Sequence, residues 1–254
     1  MKPISVQLYS LRKESKTDIS AVLRELADIG YSGVEPFNLF GKPPREFRQA
    51  VEALGMKISS SHFPWANSRP IAEVVDVLGE LGLKRAAGGF APEDFEDEDA
   101  IRRTAETTQK LIDDLAPHGL TLFLHNHWWE FALVDGRPGY HLLQELVPDV
   151  QFEIDTYWAA NFGACDPAEE VARVRARTPL LHIKDGPLEQ GKAHVAVGSG
   201  SMDIPAVIAA ADPEVLEWLV VELDQCDTDM MAAIRDSFIY LTTEKLGHCR
   251  EQKS

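Results

Sequence analysis

The chain has 254 residues, enough to bury a large hydrophobic core without disulfide bridges. It carries 41 acidic residues against 25 basic ones, and the resulting formal net charge of −16 argues against binding to a nucleic-acid backbone. Three cysteines are an odd number at unrelated spacings, so they give no disulfide framework or zinc ribbon and fit a reducing compartment.

Targeting and membrane signals are absent from the sequence. There is no signal-peptide apolar region, and no apolar run approaches the length of about 18 residues typical of a membrane span. Much of the acidic excess lies in the run 93–99 (E-D-F-E-D-E-D), which is typical of a solvated loop before a helix. We therefore expect a soluble, cytoplasmic protein without membrane or nucleic-acid partners.

Eight short apolar segments recur at intervals of roughly 30 residues, the length of a strand plus a crossover helix. The predicted strands are Ile4–Tyr9, Gly33–Pro36, Lys57–His62, Arg85–Gly88, Thr121–Asn126, Gln151–Asp155, Leu180–Lys184 and Trp218–Leu223. An open doubly wound sheet is the alternative, but no glycine-rich dinucleotide fingerprint follows the first strand. The alternation predicts an α/β protein, with residues 1–254 forming a single (β/α)8 TIM barrel.

Helix boundary signals lie between the predicted strands. Asp18 precedes an apolar stripe that Gly30 can terminate, and Asp166 followed by proline is an N-cap signal. Further helices are predicted to begin near Pro43, Pro70, Asp99, Asp203 and either Thr228 or Asp229. The tail 247–254 is expected to be frayed.

In seven of the eight predicted strands, polar or ionisable side chains occupy inward-facing positions at or near the carboxyl end of the strand. They are Gln7 and Tyr9, Glu35, His62, His125 and His127, Glu153 and Asp155, His182 and Lys184, and Glu222 and Asp224. The active site of a TIM barrel lies at the carboxyl ends of its strands, so we expect these side chains to meet. Clustered carboxylates need a compensating cation, and the mixture with imidazole suits Mn²⁺, Mg²⁺, Co²⁺ or Zn²⁺.

The segment Leu120–Phe131, L-T-L-F-L-H-N-H-W-W-E-F, begins as a buried strand and ends in ligand-type side chains. His125 and His127 share the inward face by strand alternation, and Glu130 follows just beyond the strand. Two imidazoles and a carboxylate at one strand end favour a metal site or a proton-transfer site.

The motifs H-N-H-W-W-E-F, D-T-Y-W, H-I-K-D and V-E-L-D on strands five to eight resemble the xylose isomerase-like TIM-barrel superfamily, and within it the sugar phosphate isomerase/epimerase family. The resemblance covers essentially the whole chain. It implies one divalent metal bound by Asp155, His182 and Glu222 together with a group from strand five. Many relatives have a glutamate where this chain has His125, so Glu130 is favoured as the displaced ligand. His125 or His127 then remains as a base or second ligand.

The resemblance also implies a metal-dependent isomerase or epimerase of a sugar, keto-sugar or cyclitol. Such an enzyme removes a proton next to a carbonyl and passes through an enediolate. His125 or His127 would move the proton, while Lys184 or Glu35 would orient hydroxyl groups. The expected substrate-binding residues are His62, Trp65, Trp128, Trp158 and Gln7.

Two other functions are compatible with the same motifs. One is a lyase or dehydratase acting on a keto-sugar or inosose, and the other is a non-catalytic sugar-binding barrel. The candidate phosphate-binding groups are few, namely Arg12, Lys184 and the turn Gly198–Gly200, and their surroundings are acidic. A non-phosphorylated carbohydrate is therefore the expected partner, and homo-oligomerisation is implied by the resemblance.

Overall fold

The computed structural model describes residues 1–250, and its centre is a closed ring of eight parallel strands. The strands are β1 (Lys2–Gln7), β2 (Gly33–Glu35), β3 (Lys57–Ile58), β4 (Arg85–Gly88), β5 (Thr121–His125), β6 (Gln151–Asp155), β7 (Leu180–Ile183) and β8 (Trp218–Val221). They are hydrogen-bonded in the order β3-β2-β1-β8-β7-β6-β5-β4, and a parallel bridge between Trp65 and Ala87 joins the two ends. The predicted (β/α)8 barrel is confirmed.

Eight helices follow the strands on the outside of the barrel. They are α1 (Arg12–Ile29), α2 (Pro44–Ala53), α3 (Ile71–Leu81), α4 (Glu98–Leu115), α5 (Gly139–Leu146), α6 (Pro167–Val174), α7 (Ile204–Ala210) and α8 (Met230–Thr243). The loop after β5 adds an antiparallel pair, Leu133–Val134 with Arg137–Pro138, and β6 runs directly into the short helix Thr156–Ala159. No helix within residues 1–250 is both long and apolar enough to cross a membrane.

Side-chain caps explain where several helices begin. Asp166, Asp203 and Asp229 each accept a hydrogen bond from a backbone N–H in the first turn of α6, α7 or α8, as predicted. Helix α5 was not predicted, although it opens after a proline without a side-chain cap in the same way as the predicted helices α2 and α3.

Helix α1 differs from the prediction at its start. It begins at Arg12 rather than at Asp18, and Asp18 has the non-helical angles φ −153° and ψ 89°. Asp18 still acts as a cap, because its Oδ1 accepts the N–H of Ala21 at 2.9 Å. The helix is thus two helical segments that meet at a break.

The predicted fraying of the tail 247–254 is wrong for its first half. Gly247–His248 pairs in parallel with Lys2–Pro3 of β1, and the N–H of Arg250 donates to the carbonyl of Gly30 at 3.0 Å. Backbone hydrogen bonding holds this segment against the amino-terminal end of the barrel. The remaining residues of that prediction, 251–254, lie outside the described residues.

The alternation of the strands creates an apolar floor inside the barrel. Ala87, Phe123 and Leu180 form a small buried cluster of their own, separate from the main core between strands and helices. Phe123 and His125 lie on the same face of β5, two residues apart. Inward-facing side chains two residues further along the strands, such as His125, therefore lie above this floor, and they are polar.

The loop between β7 and α7 is organised by a single buried carboxylate. Asp185 is fully buried, and the backbone N–H groups of Gly186, Gly198, Gly200 and Met202 donate to its two oxygens at 2.8 to 3.1 Å. A side chain at Gly200 would place its Cβ 2.1 Å from Asp185 Oδ1, so glycine is required there. The carboxylate of Asp185 therefore accepts the backbone hydrogen bonds that a helix or a strand would otherwise satisfy within this loop.

Replacing Asp185 with alanine is expected to destabilise the fold by about 3 kcal/mol, because four donors would lose a charged acceptor. Urea unfolding followed by circular dichroism measures the loss. Asp166→Ala is the matched control, since it removes an aspartate that accepts the N–H of Ala168 at the start of α6. That cap is worth about 1 kcal/mol, and equal losses in both variants would contradict the role assigned to Asp185.

Candidate active site

A cavity of about 410 Å³ opens above the apolar floor, at the carboxyl ends of the strands. Its aromatic wall is formed by Tyr9, Phe37, Trp65 and Trp158. Its polar side is formed by His62, His125, His127, Lys184, Glu222 and Asp224. The size and the mixture of apolar walls with a few convergent polar groups are those of a small-molecule site.

Two overlapping sets of ligand-type side chains meet at this cavity. The first, the Asp155 group, consists of His125, Asp155, His182 and Glu222, and the second, the Glu153 group, consists of His62, His125, Glu153 and His182. Within each group the four candidate ligand atoms lie within 4.8 Å of one another. All members are buried, so water cannot compensate for their charges as it does at a surface.

His182 lies at the centre of both groups. Its Nδ1 is 2.9 Å from Glu222 Oε2, and its Nε2 is 2.8 Å from Glu35 Oε1. Burial alone would lower the pKa of His182, but the carboxylates of Glu153, Glu35 and Glu222 outweigh burial and hold that pKa well above its ordinary value, so a metal ion bound by His182 would displace its proton.

Lys184 is a buried cation with three carboxylate partners. Its Nζ lies 2.8 Å from Asp155 Oδ2, 2.8 Å from Glu222 Oε2 and 2.9 Å from Asp224 Oδ2. Burial lowers the pKa of Lys184, but the carboxylates of Asp155, Asp224 and Glu222 raise it well above the ordinary value. Lys184 is therefore a fixed positive charge in the floor of the cavity.

A second layer of hydrogen bonds holds these groups in place. Glu35 accepts from Gln7 Nε2 at 2.6 Å and from the hydroxyl of Ser60. The side chain of Asn126 exchanges two hydrogen bonds with the backbone of Asp155, at 3.0 and 3.1 Å, and so joins the ends of β5 and β6. The ligand-type side chains are thus preorganised by neighbours on other strands.

The donor set fits a divalent metal ion. His125 is neutral, because burial, followed by the nearby His182 and His62, lowers its pKa to about 3. Its Nδ1 and Glu153 Oε1 are buried without a hydrogen-bond partner among residues 1–250. Asp155 Oδ2 is near Lys184, but it accepts no well-directed hydrogen bond from the described residues. Mixed imidazole and carboxylate donors with unused lone pairs are the ligands that Mn²⁺, Co²⁺ or Zn²⁺ take.

Glu130 lies in the 3-10 turn Trp129–Phe131, outside both groups of ligand-type residues within 1–250. Its Oε2 accepts the N–H of His127 at 2.9 Å, and its Oε1 lies 3.6 Å from His127 Nδ1. The ring of His127 stacks on Trp129 at 4.1 Å and lines the cavity. Glu130 therefore orients a histidine, whereas the position in the Asp155 group that we expected Glu130 to occupy is held by His125.

The structure brings most of the predicted site residues together. Asp155, His182, Glu222 and Lys184 form the charged cluster, and His62, Trp65 and Trp158 line the cavity. Glu35 and Gln7 lie beneath the cavity and are bonded to each other. Trp128 packs on Trp129 and Phe162 instead, outside the cavity walls formed by residues 1–250.

Sequence reasoning gave no role to four residues that belong to the site. Glu153, two positions before Asp155, was predicted to face inward but was given no role, and it pairs with His62 Nε2 at 2.5 Å. Asp224 was likewise predicted to face inward beside Glu222 and was given no role. Phe37 and His194 had no such signal. Both lie in loops, and His194 contacts the site by accepting the N–H of Asp224 at 3.0 Å.

Known proteins share this architecture. A sugar phosphate isomerase/epimerase from Parabacteroides distasonis is 25% identical, with 94% of this chain and 93% of that chain covered and a TM-score of 0.77. An L-ribulose 3-epimerase is 16% identical over 100% of both chains, with a TM-score of 0.69. The probable 3-DHS dehydratase AsbF from Bacillus anthracis is 12% identical over 95% of this chain and 99% of that chain, also with a TM-score of 0.69. A comparison with curated proteins found no match.

The resemblance inferred from the four strand-end motifs is confirmed over most of the chain. The family model described as xylose isomerase-like TIM barrel matches residues 23–241, which include β2 to β8 and every member of the two groups. This protein belongs to the xylose isomerase-like TIM-barrel family.

Proposed function

We propose that this protein is a metal-dependent isomerase or epimerase of a sugar, keto-sugar or cyclitol, acting by proton transfer next to a carbonyl. The observation that carries the proposal is the convergence of the Asp155 group, whose candidate ligand atoms lie within 4.8 Å of one another and whose members His125 and Glu222 line the cavity. Membership of a family with sugar isomerase and epimerase neighbours supports the same reaction class. The buried carboxylates supply the negative charge that a bound dication requires.

The residues proposed to hold the ion are His125, Asp155, His182 and Glu222. A divalent ion bound there would act as a Lewis acid toward substrate oxygens. The neutral state of His125 and its unpartnered Nδ1 support His125, rather than Glu130, as the contribution of β5. Glu153 and Glu35 hold His62 and His182 in position through the contacts described above.

His127 is the proposed base. Its side chain is 35% exposed and lines the cavity, whereas its Nδ1 is buried toward Glu130. The carboxylate of Glu130 lies beside Nδ1 without a hydrogen bond to it, and Nε2 is the ring nitrogen proposed to take a proton from carbon. Glu130 is a positioning residue in this scheme.

Lys184 is proposed to stabilise the negative charge that develops on the substrate oxygen. Its ammonium is buried, paired and next to the cavity, so it does not reorganise during the reaction. Its Nζ also lies 5.4 Å from the ring centre of Trp158, which with Trp65 supplies a flat wall for the carbon skeleton. The aromatic walls reduce access of water to the enediolate.

Removing divalent metal from the purified protein with a chelator is expected to abolish exchange of the α-proton of ketoses with D₂O. NMR measures the exchange over a panel of ketoses and keto-sugars. Adding back Mn²⁺, Co²⁺, Zn²⁺ or Mg²⁺ singly is expected to restore it, at about one ion per chain by metal analysis. Exchange that continues at full rate in metal-depleted protein would contradict the proposal.

Product mass separates isomerisation from other reactions on the same site. An isomer has the mass of its substrate, whereas a dehydratase product has lost water. The probable 3-DHS dehydratase AsbF shares this fold, so the distinction has to be made by experiment. A metal-loaded protein that binds ketoses but exchanges no α-proton would be a binding barrel rather than an enzyme.

A further inference from the structure

A second cavity, of about 810 Å³, lies beside the active-site cavity on the side of β1 and β2. The charged residues in its wall are three cations, Arg12, Lys13 and Lys16, and one anion, Asp18. Asp18 is partly engaged, because its Oδ1 caps the helix by accepting from Ala21. A local positive excess in a chain with a net charge of −16 favours an anionic ligand at this position.

The break in α1 shapes this cavity. Residues on both sides of Asp18, from Arg12 to Ile19, line it, and the loop after β2 closes it with Phe37, Asn38 and Phe40. Asn38 Oδ1 accepts the N–H of Phe40 at 2.8 Å, so its amide NH₂ remains as a donor. The cavity therefore combines cations and polar donors with aromatic walls.

Ser15 gives a second indication of a ligand. It lines the cavity, is only 2% exposed, and its hydroxyl has no hydrogen-bond partner within residues 1–250. A serine inside a helix ordinarily bonds back to the carbonyl four residues earlier, as Ser237 does to Ala233, but the hydroxyl of Ser15 makes no such bond. A buried hydroxyl left unpaired is unfavourable, and an anion in the cavity would accept its hydrogen bond.

The two cavities are adjacent and share one wall residue. Phe37 lines both, and its ring packs edge-on against Tyr9, a wall of the active-site cavity, at 5.2 Å. Arg12 stacks over the ring of Tyr9 at 4.2 Å and donates to the Tyr9 carbonyl at 2.8 Å. A substrate with its reacting carbon near Lys184 would reach Arg12 by passing Tyr9 and Phe37.

We propose that the second cavity is a subsite for an oxyanion, a carboxylate or a phosphate, at the end of the substrate remote from the reacting carbon. The inference rests on the proposed function, because it assigns a substrate to that reaction. Lys16 and Arg12 provide the charge, and Ser15 provides a directed donor. The expectation of a non-phosphorylated carbohydrate rested on few candidate phosphate-binding groups in acidic surroundings, whereas Arg12, Lys13 and Lys16 share one cavity.

Binding is tested by calorimetry with D-fructose, D-fructuronate and D-fructose 6-phosphate, which share a ketose skeleton and differ in the terminal group. At least one of the two anions is expected to bind about tenfold more tightly than D-fructose, with an advantage that shrinks at high salt. Whichever of the two anions binds more tightly shows whether the subsite prefers a carboxylate or a phosphate. Ser15→Ala and Lys16→Gln are each expected to remove most of this advantage and to leave the affinity for D-fructose unchanged.

Lys57→Gln is the matched control for charge. It removes an exposed lysine at the start of β3, at the opposite end of the barrel, and is expected to leave the preference intact. Lys16 is exposed, so its substitution does not threaten folding. Equal affinities for the neutral and anionic sugars, or a preference that survives Lys16→Gln, would overturn the proposal. So would failure of both anions to bind at about 10 mM.

Two further measurements separate this inference from the proposed function. Inorganic phosphate that binds in a Lys16-dependent manner, while neither sugar anion gains over D-fructose, would show a free-anion site and overturn the subsite. The α-proton exchange of the same three sugars is then recorded. Exchange without an anion preference defeats the subsite alone, whereas a Lys16-dependent preference without exchange supports the subsite and defeats the proposed reaction.

Discussion

The Glu222→Gln variant is expected to lose its bound divalent metal and about 10,000-fold in α-proton exchange. Glu222 Oε2 contacts both His182 Nδ1 and Lys184 Nζ, so one carboxylate supports a proposed ligand and the proposed charge stabiliser. An amide of the same shape keeps the volume but removes the negative charge. Metal analysis and NMR exchange on the same preparation measure the two losses together.

The fold is expected to survive this change. Lys184 keeps Asp155 and Asp224 as partners at 2.8 and 2.9 Å, so the substitution does not leave a buried cation unpaired. Asp224→Asn is the matched control, because it also removes one carboxylate partner of Lys184 but lies outside both ligand groups. If Glu222→Gln retained full metal content and turnover, the proposed assignment of the Asp155 group would be wrong.

The His127→Asn variant is expected to retain its metal and to lose about 1,000-fold in α-proton exchange, because the proposed base is removed. His127 lies outside both ligand groups formed by residues 1–250, so metal content should not change. The imidazole of His127 is held by stacking on Trp129 and by the hydrogen bond from the His127 backbone N–H to Glu130. Asparagine cannot replace this imidazole as a base. Single-turnover exchange in D₂O measures the effect.

Glu130→Gln tests the role of the neighbouring carboxylate separately. An amide oxygen can still accept the N–H of His127, but it carries no negative charge beside the imidazole. We expect a loss of about tenfold, with a shift in the pH profile of exchange that a purely structural role would not produce. Loss of metal from Glu130→Gln but not from His127→Asn would instead make Glu130 a ligand, as the sequence alone favoured.

The sequence determined the barrel and most of the charged cluster. Strand alternation has a period of two, so Asp155, His182 and Glu222 could be placed on the inward face of their strands without knowing the fold in detail. Parallel strands in a barrel end at the same face, so late positions on different strands meet. The same rule placed Lys184 beside them.

Tertiary structure decided what lies beyond the strand ends. Glu130 follows β5 by five residues, and the turn at Trp129–Phe131 directs it toward His127, which strand alternation cannot predict. Glu153 and His62 became partners because β3 and β6 face each other across the barrel, far apart in sequence. The second cavity depends on the break at Asp18 and on the loop after β2, and both are results of packing rather than of local pattern. Local periodicity thus specifies which face a side chain takes, whereas the partner it meets is set by how the barrel closes.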